Sequence, residues 1–288
     1  MTFEKLLKVA EQKAIQYHKE IEAVKLLLME LSKQDPHQFF LNLKKEVEAT
    51  FEKRFLEALD QYIRFDIPVQ HIIGHAYFYG YPFTVNSNVL IPRAETEQLV
   101  EHILVFYDAY FQNQKVDVLD LGTGSGCIGL TLALEESHMN VTVSDISLEA
   151  LEVTKENQKK LSANAQVIHS DLFENIHQTF DIIVSNPPYI PDSEIVQSEV
   201  TKEPSVALYG GSLGVDFYDR ILKAAKHHIK KDGLIAFEHG YQQNEAIYQF
   251  AKTHFPNGNI LQIKDLAGKD RFTFIGLGNI LNHEQQSL

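Results

Sequence analysis

Val116-Asp117-Val118-Leu119-Asp120-Leu121-Gly122-Thr123-Gly124-Ser125-Gly126 decides the fold of this chain. The first six residues read as a buried parallel strand, apolar and β-branched, with no turn former. Glycines at 122, 124 and 126 let the backbone turn tightly and approach a ligand closely. An apolar helix, Cys127 to Leu134, follows, and its free N–H groups point back at the same place. Gly124, Gly126 and Gly129 also satisfy G-x-G-x-x-G, a weak pattern that by itself leaves a dinucleotide site open.

The next strands end in acids. Val141-Thr142-Val143-Ser144 runs into Asp145, about twenty residues past the first glycine, where an acid that holds ribose hydroxyls is expected. Gln166-Val167-Ile168-His169 runs into Ser170-Asp171-Leu172. Asp171 can accept from an exocyclic adenine amine, with Leu172 packing on the ring. Either Asp alone reads equally well as a helix cap or turn former. Phe180-Asp181-Ile182-Ile183-Val184-Ser185 then ends at Asn186-Pro187-Pro188-Tyr189. Asn186 offers a carbonyl acceptor and an amide donor on a short stem. Pro187 and Pro188 fix φ and stiffen the loop, and Tyr189 adds a flat wall. Such a loop suits a planar amino group, a weak nucleophile that must be gripped and aligned. All four features fall at C-terminal strand ends, the edge where open α/β sheets bind ligands.

The arrangement resembles the class I S-adenosylmethionine-dependent methyltransferases that carry an Asn-Pro-Pro-Tyr motif. Further stretches narrow it: Pro68-Val-Gln-His-Ile-Ile-Gly74, Leu90-Ile-Pro-Arg-Ala-Glu-Thr-Glu97, Leu119 to Gly126, Val184 to Ile190, and Glu203-Pro204 followed by Ala207-Leu208. These are similar to the HemK-type peptide chain release factor N5-glutamine methyltransferases, over about Pro68 to Leu277. The resemblance implies S-adenosyl-L-methionine as cofactor and the Gly-Gly-Gln loop of release factors as substrate. It also implies a Rossmann-like seven-stranded sheet, with Arg271 to Leu277 as its last, antiparallel strand. Two positions depart from the family: Ala94 stands where Pro is usual, and an aromatic is frequent near Leu172. Neither removes a polar group.

On this basis the expected cofactor residues are Gly122, Thr123, Gly124, Ser125, Gly126, Asp145, Asp171, Leu172 and Asn186. Asn186, Pro187 and Tyr189 are the expected catalytic residues. Asn186 Oδ1 and the Pro187 carbonyl would each accept one N–H of the glutamine amide. Pro188, Tyr189 and Leu90 would enclose the side chain. The protein would work mainly by alignment, worth about 7–11 kcal/mol in favourable cases.

Composition is that of a cytoplasmic globular enzyme: 44% hydrophobic and 23% charged in 288 residues. The single Cys127 has no intramolecular disulfide partner and reads as a small apolar residue beside the glycine loop. No signal peptide and no membrane partner are expected, and no apolar run reaches membrane-spanning length. His71 and His75 share i, i+4 spacing, but Gly74 lies between them and no third ligand is evident, so no metal is expected. The formal net charge of −13 argues against direct nucleic-acid binding and favours a basic protein partner.

The chain divides near residue 70. Residues 1–70 show helical spacing, as in Ile21, Val24, Leu28 and Leu31, with Asp35-Pro36 opening a helix. Phe39, Phe40, Leu43 and Val47 read as bundle core, as do Phe51, Phe55 and Leu59. This helical domain is expected to dock the substrate. Residues 71–92 read as a β-hairpin linker around Gly80-Tyr81-Pro82. In residues 93–288 helices and strands alternate, predicting an α/β fold with a doubly wound parallel sheet. Three other functions compete. An adenine or guanine amino-methyltransferase needs a basic target-recognition region that this chain lacks. An NAD-dependent oxidoreductase leaves Asn186 to Tyr189 unexplained. A non-catalytic cofactor-binding regulator would make the helical region its working end.

Overall fold

The computed structural model describes residues 1–282. They fall into two units, Met1–His75 with Val196–Lys202, and Ala76–Ile195 with the chain from Glu203 onward.

The first unit is helical: α1 (Phe3–Gln16), α2 (Ile21–Ser32), α3 (Pro36–Asn42), α4 (Ala49–Phe65) and α5 (Val69–Ile73). Thr2 caps α1 by accepting from Lys5 N, and Asp35 caps α3 by accepting from Gln38 N at 2.9 Å, one residue before Pro36. Leu6, Leu27, Leu28, Phe39, Phe55 and Leu59 close the core. Phe40 departs from the expected core and stands 54% exposed. On a helix as short as α3, neighbours i and i+1 cannot share one buried face. Phe39 takes the inside, and the Lys25 ammonium lies 5.2 Å from the Phe40 ring. Lys19, almost fully buried, pairs with both Asp66 and Glu199, tying Val196–Lys202 into this unit.

The hairpin of β1 (His75–Phe78) and β2 (Tyr81–Thr84), turning at Tyr79-Gly80, begins at the last residue of the first unit and otherwise belongs to the second. Pairing stops at Thr84, earlier than the sequence pattern indicated, and residues 85–93 run without a strand. Phe78 and Phe83 meet edge-to-face at 6.0 Å and join the main apolar core. The remaining elements alternate: α6 (Ala94–Tyr110), β3 (Val116–Leu121), α7 (Cys127–Glu135), β4 (Met139–Asp145), α8 (Leu148–Leu161), β5 (Ala165–His169), β6 (Phe180–Ser185), α9 (Asp216–Ala225), β7 (Ile229–Glu238), α10 (Asn244–His254), β8 (Asn259–Lys264) and β9 (Asp270–Gly276).

Among the described residues, seven strands form one sheet in the order β5-β4-β3-β6-β7-β9-β8. β9 alone runs antiparallel to its neighbours. The continuous apolar runs follow from burial on both faces. Val116, Val118, Ile182 and Val184 face one core with Leu99, Ile103 and Leu130 of α6 and α7. Leu119, Leu121, Ile183 and Phe237 face the other, with Tyr218, Ile221 and Ile247 of α9 and α10. Each such side chain stabilises the unit by about 1.5–3 kcal/mol. The strand order reverses between β3 and β6, which places a crevice at their carboxyl ends.

Candidate active site

The cleft at that switch point has a volume of about 190 Å³ and opens to solvent. Its floor is the turn after β3. Gly122 and Gly124 have φ of +76° and +57°, and a Cβ on either would meet nothing within 4 Å. The backbone there is bare toward the cleft, as a close-lying ligand requires. Gly129 works differently: a Cβ there would lie 2.5 Å from Val143 Cγ1, so it lets α7 press against the sheet. Fully buried Asp120 braces the turn, its Oδ2 accepting from Thr123 Oγ1 at 2.5 Å and from Gly129 N at 2.8 Å. Burial pushes its carboxyl up to about 6.

Asp145 ends β4 at the cleft wall. Its Oδ2 accepts from Gly124 N and its Oδ1 from Ser147 N, both at 2.9 Å. Burial raises its pKa, and backbone donors oppose the rise. Each oxygen retains acceptor capacity for a ligand hydroxyl. Asp171 and Leu172 line the same cleft, with Arg220 of α9 3.2 Å from Asp171 Oδ1. Thr123, Ser125 and Cys127 also line it, and burial pushes the Cys127 thiol up to about 12.

The turn after β6 forms the opposite wall. Asn186, Pro187 and Pro188 line the cleft, with Leu90, Pro92 and Arg93 near them on its rim. Asn186 Nδ2 donates to Thr96 Oγ1 at 3.4 Å. Tyr189, expected as a wall, is not among the lining residues. Its ring packs toward Gly240 and the α9–α10 core, and burial pushes its phenol up to about 12. Gly126 likewise sits below the cleft, against Leu130. Among the described residues no cluster of His, Cys, Asp and Glu could hold a metal ion, and no helix is long and apolar enough to cross a membrane.

The family described as "Methyltransferase small domain" matches residues 96–215, and the "PrmC N-terminal domain" matches residues 5–74. The chain is 39% identical over 258 residues to the release factor glutamine methyltransferase of Bacillus cereus, covering 88% of this chain and 91% of that one. It is 37% identical over 273 residues to that of Streptococcus pneumoniae, covering 93% and 96%. The chain belongs to the release factor glutamine methyltransferase family. A methyltransferase structure from Pyrococcus furiosus, 19% identical with a TM-score of 0.51 over 69% of this chain and 89% of that one, shares its fold.

Several residues of this methyltransferase hold the site together and were given no role from sequence. Gln243 at the start of α10 donates through Nε2 to Tyr189 O at 2.7 Å and to Gly214 O at 3.0 Å. A Cβ on Gly210 would lie 2.2 Å from Pro188 O, and one on Gly214 2.1 Å from Tyr189 O. The 210–214 turn therefore supports the proline loop backbone-to-backbone. Glu203 accepts from Ile91 N at 2.8 Å and pairs with Arg93 at 2.5 Å, which joins two of the motifs quoted above at the rim. Asn157 of α8 bonds both Thr84 O and Ser125 O, linking the hairpin to the glycine turn. Glu238, at the end of β7, is buried and follows Phe237, the register partner of Ser185 just before Asn186. Its only sequence signal is a carboxylate closing an apolar run, Gly233 to Phe237.

Proposed function

We propose that the protein transfers a methyl group from S-adenosyl-L-methionine to the side-chain amide nitrogen of the glutamine in the Gly-Gly-Gln loop of peptide chain release factors, in the cytoplasm. The observation that carries this is one cleft walled on one side by Gly122–Ser125 and Asp145 and on the other by Asn186–Pro188. The residues fit the cofactor. The bare turn at Gly122 and Gly124 would accommodate its amino-acid end, Asp145 would accept from its ribose hydroxyls, and Asp171 with Leu172 would take its adenine. When bound, the cofactor supplies an electrophilic methyl group on a positively charged sulfonium.

The chain's own residues then do the rest. An amide nitrogen shares its lone pair with its carbonyl and attacks weakly. Asn186 Oδ1 and the Pro187 carbonyl accept its two N–H groups and turn its π face toward the methyl group. These acceptors stabilise the charge that grows on the N–H groups during transfer. Leu90 and Pro188 confine the side chain and exclude water. Tyr189 serves through its anchored carbonyl, which fixes the loop, rather than as a wall. The nitrogen sheds its extra proton readily once alkylated. The helical unit at Met1–His75 docks the release factor, and the acidic surface favours a basic partner without direct nucleic-acid contact.

Purified protein, labelled S-adenosylmethionine and release factor test this directly. Label should enter the release factor and not a variant whose loop glutamine is replaced. Label entering RNA or DNA, with none in release factor, would overturn it.

A further inference from the structure

The register of the sheet sets two residues side by side at the cleft. Ser185 pairs with Phe237 in the parallel β6–β7 ladder, so Asn186 and Glu238 follow as neighbours. Glu238 is 1% exposed, and its Oε2 has no hydrogen-bond partner among the described residues. The Asn186 and Thr96 side chains stand near enough to lower its pKa, and Asn186 Nδ2 donates to Thr96 Oγ1 at 3.4 Å. A buried carboxylate oxygen without a partner is costly and calls for a reason. Glu238 does not line the cleft, so it acts through a neighbour.

We propose that Glu238 is a positioning residue for the methyl transfer: an acceptor-only carboxylate behind Asn186 holds the Nδ2 end of that amide inward and so turns Oδ1 toward the substrate. This rests on the glutamine-methylation function. An Asn side chain can present either end, and the group behind it decides which. An ionised carboxylate accepts only the amide N–H. A protonated one offers an O–H to Oδ1, which favours the flipped amide. That would set an NH2 group against the NH2 group of the substrate.

Transfer therefore requires ionised Glu238. Burial pushes its carboxyl up to about 7, opposed by the nearby polar side chains of Thr96 and Asn186 and by the Arg271 charge on β9. The other titratable groups facing it are Glu95 on α6, Tyr218 on α9, Tyr189 and Cys127. Burial pushes Tyr218, Tyr189 and Cys127 far upward, so they stay neutral across the working range.

The experiment has two arms on the full chain. In the first, turnover on release factor is followed over about pH 6 to 9, with binding of the demethylated cofactor product measured by calorimetry. Wild-type kcat should fall on the acid side with a midpoint near 7. Glu238→Met should lose about tenfold in kcat, one hydrogen bond's worth, with product affinity unchanged. Glu238→Gln, which keeps an acceptor, should recover much of that loss and show no acid limb. Thr96→Val should move the limb upward, because its donor lowers the Glu238 pKa. Glu238→Met with wild-type kcat, or Glu238→Gln with an unchanged acid limb, overturns the proposal.

The second arm needs no turnover, so it separates failure of the proposal from failure of the assigned reaction. In ¹³C spectra of the glutamate carboxyls, one signal should titrate near 7 and vanish in Glu238→Gln. It should move to higher pH in Asn186→Ala and in Thr96→Val. No such glutamate, or one that neither substitution shifts, overturns the proposal even if release factor is methylated.

Discussion

Gly214→Ala puts the proline loop's support to the test. Gly214 adopts φ of +69°, and an added Cβ would stand 2.1 Å from Tyr189 O and 2.6 Å from Gln243 Nε2. Ordinary contact between carbon and oxygen needs about 3.2–3.5 Å, so the loop must retreat by roughly 1 Å or more. A displacement of that size at the aligning residues costs about a hundredfold in rate. The backbone strain adds about 1–2 kcal/mol of lost stability. Gly268→Ala is the control: its φ is +78°, but an added Cβ there meets nothing within 4 Å. Both variants should lose stability by urea unfolding through the shared backbone strain, and Gly214→Ala should lose more because the clash adds to it. Only Gly214→Ala should lose about two orders of magnitude in kcat, with cofactor-product binding retained. Equal kcat losses in the two, or wild-type kcat in Gly214→Ala, would show that the turn does not position the loop.

Asp145→Ala should weaken S-adenosylmethionine binding by calorimetry about tenfold or more, since a partly buried acceptor is lost; NAD should bind neither form. Asn186→Ala should cut kcat about a hundredfold while cofactor affinity holds, and wild-type turnover would remove Asn186 from the mechanism. Glu238 has a folded pKa of about 7 against an ordinary 4.5, so its contribution to stability is whole below 4.5 and lost as pH rises through 7. Relative to wild type, Glu238→Gln should therefore gain up to about 3 kcal/mol in urea unfolding between about pH 5 and 8. An identical difference at both pH values would contradict the buried charge. The chain from Ala76 onward should still bind S-adenosylmethionine but show a raised KM for release factor. An unchanged KM would mean that the helical unit recognises nothing.

Strong local patterns carried much of the fold. Val116–Leu121 and Phe180–Ser185 were legible because each is an apolar run, buried on both faces, that stops at glycines or prolines. The same stops placed Gly122–Ser125, Asp145, Asp171 and Asn186 at strand ends, and the structure gathers them in one cleft. Long-range support was hidden. Nothing local in Gln243, Gly214 or Asn157 says that they grip a backbone far along the chain. Glu238 looks like an ordinary strand end until the β6–β7 register sets it beside Asn186. Phe40 misled because adjacent aromatics do not reveal which one a short helix turns inward. Tyr189 misled because its anchored carbonyl carries its ring toward the α9–α10 core.

The most direct measurement is tandem mass spectrometry of release factor incubated with the protein and S-adenosylmethionine. A single methyl group should be found on the side-chain amide nitrogen of the Gly-Gly-Gln glutamine, and it should be absent when Asn186→Ala replaces the wild type over the same time. An unmodified glutamine, or a methyl group on another residue, would contradict the account.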